Sequence, residues 1–95
     1  MMPKLLIVIN DRTQAPLPHG CADTFFHAQG QMTGILHLNI ERCQTGEEVA
    51  AVLAENRIQP TCAAFSVGII LTNSAVVAAS CQEMGFKVEF GRNSI

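Results

Sequence analysis

Residues 19–27 read His-Gly-Cys-Ala-Asp-Thr-Phe-Phe-His, so one short segment holds two imidazoles, a thiol and a carboxylate. Imidazole and thiolate are zinc ligands, and a helix from residue 22 onward would set Asp23 and His27 four apart on one face. His19, Cys21, Asp23 and His27 are therefore the candidate metal ligands. Their spacing matches no established zinc pattern, and the plainer reading is a surface helix with incidental polar residues; no cofactor is expected. The same segment offers a second chemistry, because a helix start can activate a cysteine, which makes Cys21 a candidate nucleophile with His19 or His27 as its base.

Two further positions are suited to chemistry. Asp11 follows a continuous apolar run and has Arg12 beside it; a carboxylate at the end of a buried strand can act as general base, metal ligand or nucleophile. Its plainer role is to turn the chain. Thr72-Asn73-Ser74 stands where a helix begins, and free amides at a helix start hold anions. Without the glycines that let a phosphate approach a loop backbone, these residues read more simply as caps. The catalytic candidates are thus Asp11, Arg12, His19 and Cys21, and the ligand-binding candidates Thr72, Asn73 and Ser74. His37, on the polar side of an alternating segment, reads as solvated.

The elements that must position these residues follow from the apolar pattern. Leu5 to Ile9 is continuously apolar and β-branched, as in a strand covered on both faces. Residues 10–20 carry Pro16, Pro18 and Gly20 and form a long connection, followed by a short helix over about 21–29 with Gly30 as its stop. In residues 35–41, Leu36, Leu38 and Ile40 share one face and His37, Asn39 and Glu41 the other, which predicts a half-exposed strand. Thr45 and Glu48 form a Thr-x-x-Glu capping box for a helix to about Arg57, with Val49, Val52 and Leu53 as its apolar face. Residues 62–71 read as a second buried strand in which Gly68 marks a bulge or a close backbone approach. A helix from about 74 to 84 ends at Gly85 in a left-handed cap, and Phe86, Val88 and Phe90 alternate in a final edge strand.

Alternating strands and helices favour parallel pairing, so residues 1–95 are expected to form a single α/β domain, a small three-layer sandwich with a four-stranded, mostly parallel sheet. A two-layer α+β arrangement with a mixed sheet is the alternative. In a parallel sheet ligands bind beyond the strand carboxyl ends, where strand order reverses. That rule selects the loops 10–20, 42–46 and 72–74, and convergence of the first and last is what would make a site there credible.

Composition bounds the function. Hydrophobic residues make up 48% of the chain and charged residues 15%, against roughly 25% charged in an average soluble domain. The missing charges are concentrated: residues 58–82 contain none. Thr72, Asn73 and Ser74 interrupt that stretch, so two buried elements joined by a turn fit better than a membrane span. With six Lys and Arg against eight Asp and Glu, no Trp or Tyr and no basic cluster, nucleic acid is not an expected partner. The four cysteines show no C-x-x-C pair or dense disulfide framework, and Lys4 with Leu5 to Ile9 is too short for the apolar region of a signal peptide. A cytoplasmic chain with reduced thiols is expected.

The helix over 74–84, with Ala75, Val76, Val77, Ala78, Ala79 and Cys81, is apolar nearly all round, and a chain of this size can scarcely cover it on every side. The first functional reading is therefore a binding or assembly domain that self-associates and can take a protein partner, more a non-enzyme than an enzyme. The alternative is a small enzyme or a ligand- or anion-binding protein using Asp11, Arg12, His19, Cys21 and Thr72 to Ser74. A thiol or metal site around His19 to His27 comes third. No motif in the sequence identifies a family.

Overall fold

The computed structural model describes residues 3–60 and 65–91. The chain runs β1 (Lys4–Asp11), α1 (Cys21–Gln29), β2 (Gly34–Ile40), α2 (Gly46–Glu55), β3 (Ser66–Thr72), α3 (Ala75–Glu83) and β4 (Val88–Phe90). The four strands form one sheet in the order β2-β1-β3-β4, and every pairing is parallel. The mixed-sheet alternative is thereby set aside. The two continuous apolar strands, β1 and β3, occupy the centre and the two alternating ones the edges, as their patterns require.

Side-chain alternation along the central strands builds two separate cores. Leu6, Val8, Ile69 and Leu71 face one way, against Leu17, Phe25, Phe26 and Met32 from α1 and its flanking loops and Ile35 of β2. Ile7, Ile9 and Ile70 face the other way, with Val49 and Leu53 of α2, Val77 and Cys81 of α3, and Phe86. Helices on both faces make the three layers. From β1 to β2 the chain moves one way with α1 on one face; from β2 to β3 it moves back across β1 with α2 on the opposite face. Direction and face change together, so the crossovers share one hand, as parallel sheets demand.

Local signals act largely as their chemistry dictates. Thr45 Oγ1 accepts the Glu48 N–H at 3.2 Å to start α2, and Ser74 Oγ accepts the Val77 N–H at 3.2 Å to start α3. Gly68 is the extra residue of a bulge: Leu5 pairs with Val67 but Leu6 with Ile69. A side chain there would meet Leu5 O at 3.2 Å, so bulge and close approach coincide. Gly85 adopts φ 98°, and the Phe86 N–H returns to Cys81 O at 3.0 Å, closing α3 and turning Phe86 into the core.

Several boundaries differ from expectation. The second helix stops at Glu55 rather than near Arg57, because Arg57 takes φ 58° and the Ile58 N–H reaches back to Leu53 O at 2.9 Å. That closure uses a left-handed residue without glycine, which composition alone does not flag. The last strand begins at Val88, since Phe86 is consumed by the α3 closure. The third strand is described from Ser66; the expectation for 62–64, including Cys62, lies outside the described residues. Within this chain α3 is buried at Val77, Ser80 and Cys81, while Ala75 and Ala79 are exposed. Among the described residues no helix is long and apolar enough to cross a membrane.

Candidate functional site at the strand carboxyl ends

Strand order reverses between β1 and β3, and the carboxyl ends of these two strands carry a group of buried polar residues: Asp11, Thr72, Asn73 and Ser74, each at most 3% exposed. Burying four polar side chains together costs free energy unless they are paired. Asn73 supplies most of the pairing. Its Oδ1 accepts the Asp11 N–H at 2.7 Å, and its Nδ2 lies 3.0 Å from Asp11 O, 3.0 Å from Ala15 O and 3.2 Å from Asn10 Oδ1. One amide thus fastens the 10–20 connection to the end of β3. The helix-capping role expected of Asn73 or Ser74 falls to Ser74 alone, and Thr72 Oγ1 holds the Ser74 N–H at 3.1 Å.

Asp11 is the exception to this pairing. Its Oδ1 accepts the Thr13 N–H at 2.8 Å and the Thr13 hydroxyl at 2.6 Å, a local turn that explains the Asp-x-Thr sequence. Its Oδ2 is buried with no hydrogen-bond partner among the described residues. A buried carboxylate oxygen without a partner is uncommon, because leaving it unmade forfeits about 1–3 kcal/mol or more. Alternation along β1 puts Asp11 on the same face as Ile7 and Ile9, the side of α2 and α3. There the side chain is near enough to Cys43 to act on it: burial, then Glu48, then Asp11 push the Cys43 thiol up from its ordinary value.

At the same end of the sheet opens a cleft of about 540 Å³, lined by Gln14 after β1, Arg42, Cys43 and Gln44 after β2, and Ser74 to Val76 at the start of α3, with Asp11 outside the lining. All three loops selected by the carboxyl-end rule contribute to it, and the 10–20 and 72–74 segments converge. Gln14 and Gln44 are lining residues that residue-type reasoning passed over. The signal for them was position alone, just after strands that end together.

The other sequence candidates lie elsewhere. Arg12 turns outward and pairs with Glu41 at 3.1 Å in solvent, away from the cleft. His19 and Cys21 line a shallow depression with Thr24 and Phe25 at the α1 side. Asp23 instead borders a separate cleft of about 370 Å³ with Asn10, His37 and Asn39, near the β2 edge. His27 stacks edge-on against Phe26, ring centroids 5.4 Å apart. The four candidate metal ligands therefore do not meet at one point, and among the described residues no three His, Cys, Asp or Glu side chains are grouped to hold a metal ion. His37 is exposed, as its strand position implies.

No protein-family model, no curated protein and no solved structure matches this chain. Its functional reading rests on the geometry of the site.

Proposed function

We propose that this chain is a small-molecule-binding domain whose ligand occupies the cleft at the strand carboxyl ends, against Gln14, Arg42 and Gln44 and the first turn of α3. One observation carries the reading: the loops after β1, β2 and β3 meet around a cleft of about 540 Å³ at the point where strand order reverses. The Asn73 clamp supports the reading, since it fastens the 10–20 connection to the end of β3 and so holds two walls of the cleft together. In this reading Arg12, His19 and Cys21 have no part at the site.

The test is a thermal-shift and NMR titration of the full chain against small carboxylates, phosphates and amides, repeated on Arg42→Gln. Binding that perturbs the amides of residues 11–14, 42–44 and 74–76 and is lost in the variant is the expected result. A panel without any such ligand, or binding that Arg42→Gln leaves untouched, rejects the proposal.

A second reading, self-association, is favoured by a different surface. Phe90 is 40% exposed on the edge strand β4, on the face shared with α3, whose Ala75 and Ala79 are also uncovered. A second copy would supply that cover. Light scattering on the eluting protein decides it: a dimer that Phe90→Ser dissociates supports association, and a monomer at high concentration rejects it.

A further inference from the structure

The two edges of the sheet are protected unequally. An edge strand offers unpaired N–H and C=O groups to any other strand, and proteins blunt such edges with charges, proline, bulges or shortness. At one edge β4 is three residues long, with Lys87 beside it and Glu89 within it. At the other, β2 has none of these devices. Its seven residues, Gly34–Ile40, include no Asp, Glu, Lys, Arg or Pro, and they run beside β1 without a register shift. Among the described residues no strand pairs with its outer side.

One bond tells which backbone groups point outward. The Arg12 N–H reaches Ile40 O at 3.0 Å, so Ile40 faces β1. Successive strand residues direct their backbone groups to opposite sides, so Ile35, His37 and Asn39 turn theirs away from the sheet. Leu36 and Leu38 are only half-buried on the α2/α3 face, and His37 and Asn39 are exposed on the other.

We infer that β2 pairs antiparallel with β2 of a second copy of this chain, about a two-fold axis at His37, so that two sheets become one. The inference rests on neither the cleft nor the Phe90 surface. Centred on His37, the pairing opposes every outward residue to another: His37 to its own copy, and Ile35 to the partner's Asn39, each pair exchanging both backbone hydrogen bonds. In the same register Leu36 meets the partner's Leu38, and the half-buried leucines cover one another. Just beyond the strand, Glu41 falls opposite the partner's Thr33, whose Oγ1 accepts the Lys4 N–H of its own chain at 3.0 Å. Opposite charges therefore approach at both ends of the pairing. An unrelated peptide could use the same backbone groups, but the leucine match and the end charges select a second copy.

Light scattering over a concentration series, with amide exchange on the full chain, tests the pairing. The expected result is a dimer in which the Ile35, His37 and Asn39 amides exchange at least about tenfold more slowly than in the dilute monomer, while those of Leu36 and Leu38, which face β1, change little. His37→Pro removes an outward donor at an edge, where proline is tolerated, and should leave a folded monomer. Should that variant fail to fold, His37→Lys sets two ammonium groups together on the axis and should weaken the dimer severalfold. A monomer at every concentration overturns the inference, including one whose edge amides are protected only by an added extended peptide. A dimer whose outward β2 amides exchange freely overturns it as well. So does a dimer that Phe90→Ser dissolves and His37→Lys leaves intact, which would place association on the β4 side.

Discussion

The two faces of the sheet are built from similar apolar strands and end up unlike. On the α2/α3 face the helices bury Val49, Leu53, Val77 and Cys81, and the core continues up to the buried polar group at the strand ends. On the other face α1 contributes no fully buried residue; Phe25 and Phe26 lie half-covered over Leu6, Val8, Ile69 and Leu71. The face richest in chemically versatile side chains, with His19, Cys21, Asp23 and His27, is the loosely covered one, and there those side chains spread apart. The closely covered face holds fewer such residues, yet there burial has forced them together and left one carboxylate oxygen without a partner. Reactive residue types close in sequence are thus a poorer guide to a site than polar residues that the fold buries at a strand end.

The strongest way to break this contrast is at Asn73. Asn73→Ala strips the Asp11 N–H, Asp11 O and Ala15 O of their partner in a buried setting. The expected cost is about 3 kcal/mol in urea unfolding, from unmade buried hydrogen bonds. Asn39→Ala removes the same amide from the exposed β2 edge, where its contact is a 3.2 Å bond from Asn10, and should cost under about 0.5 kcal/mol. Equal losses would mean that the switch-point cluster is no tighter than the edge.

Next in size is an alkaline loss of stability. Burial pushes the Cys81 thiol up to about 11, and the Cys43 thiol moves in the same direction. A thiol raised in the folded chain stabilises fully below the unfolded-state value near 9.0 and loses that contribution as pH climbs through the folded value. The loss should approach about 2 kcal/mol between roughly pH 9 and 11, and the chain has no tyrosine to titrate over the same range. Chemical denaturation across this range checks it; Cys81→Ala should flatten the slope, and an unchanged slope would show that other groups set it.

Most of the fold could be read from the sequence because its signals are local or periodic: the apolar runs at Leu5–Ile9 and Ile69–Leu71, the Thr45 and Ser74 caps, Gly68 and Gly85. The site was only partly legible. Asp11, Thr72, Asn73 and Ser74 stood out by type, and the carboxyl-end rule brought their loops together. The clamp by Asn73 was hidden because it joins positions 62 and 63 residues apart, and no local pattern records a contact at that separation. Likewise, nothing in Asn-Asp-Arg shows that Asp11 turns inward and Arg12 outward until the register of β1 is known. The His19–His27 cluster misled for the converse reason: nearness along the chain leaves direction open, and Cys21 and Asp23, two residues apart on opposite sides of α1, line different clefts.

Asp11→Asn sharpens the contrast with a smaller effect of opposite sign. The amide oxygen can keep both Thr13 bonds, while the charge that burial penalises disappears. Stability should rise by about 1 kcal/mol, as expected where a buried charged oxygen lacks a partner. A fall of that size would identify Asp11 as a structural residue held by the α3 dipole.

The smallest effect is a difference in thiol reactivity, and it compares the faces directly. Cys21 is half-exposed at the start of α1, whereas Cys43 and Cys81 are buried in the opposite core. With iodoacetamide on the native chain, Cys21 should label without unfolding, and Cys43 and Cys81 only as fast as the chain opens. Mass spectrometry of the peptides resolves the sites. Asn73→Ala, by loosening the switch point, should then accelerate Cys43 and Cys81 together while leaving Cys21 unchanged. If all three accelerated alike, α1 and the α2/α3 layer would open as one unit, and the two faces would differ in burial but not in stability.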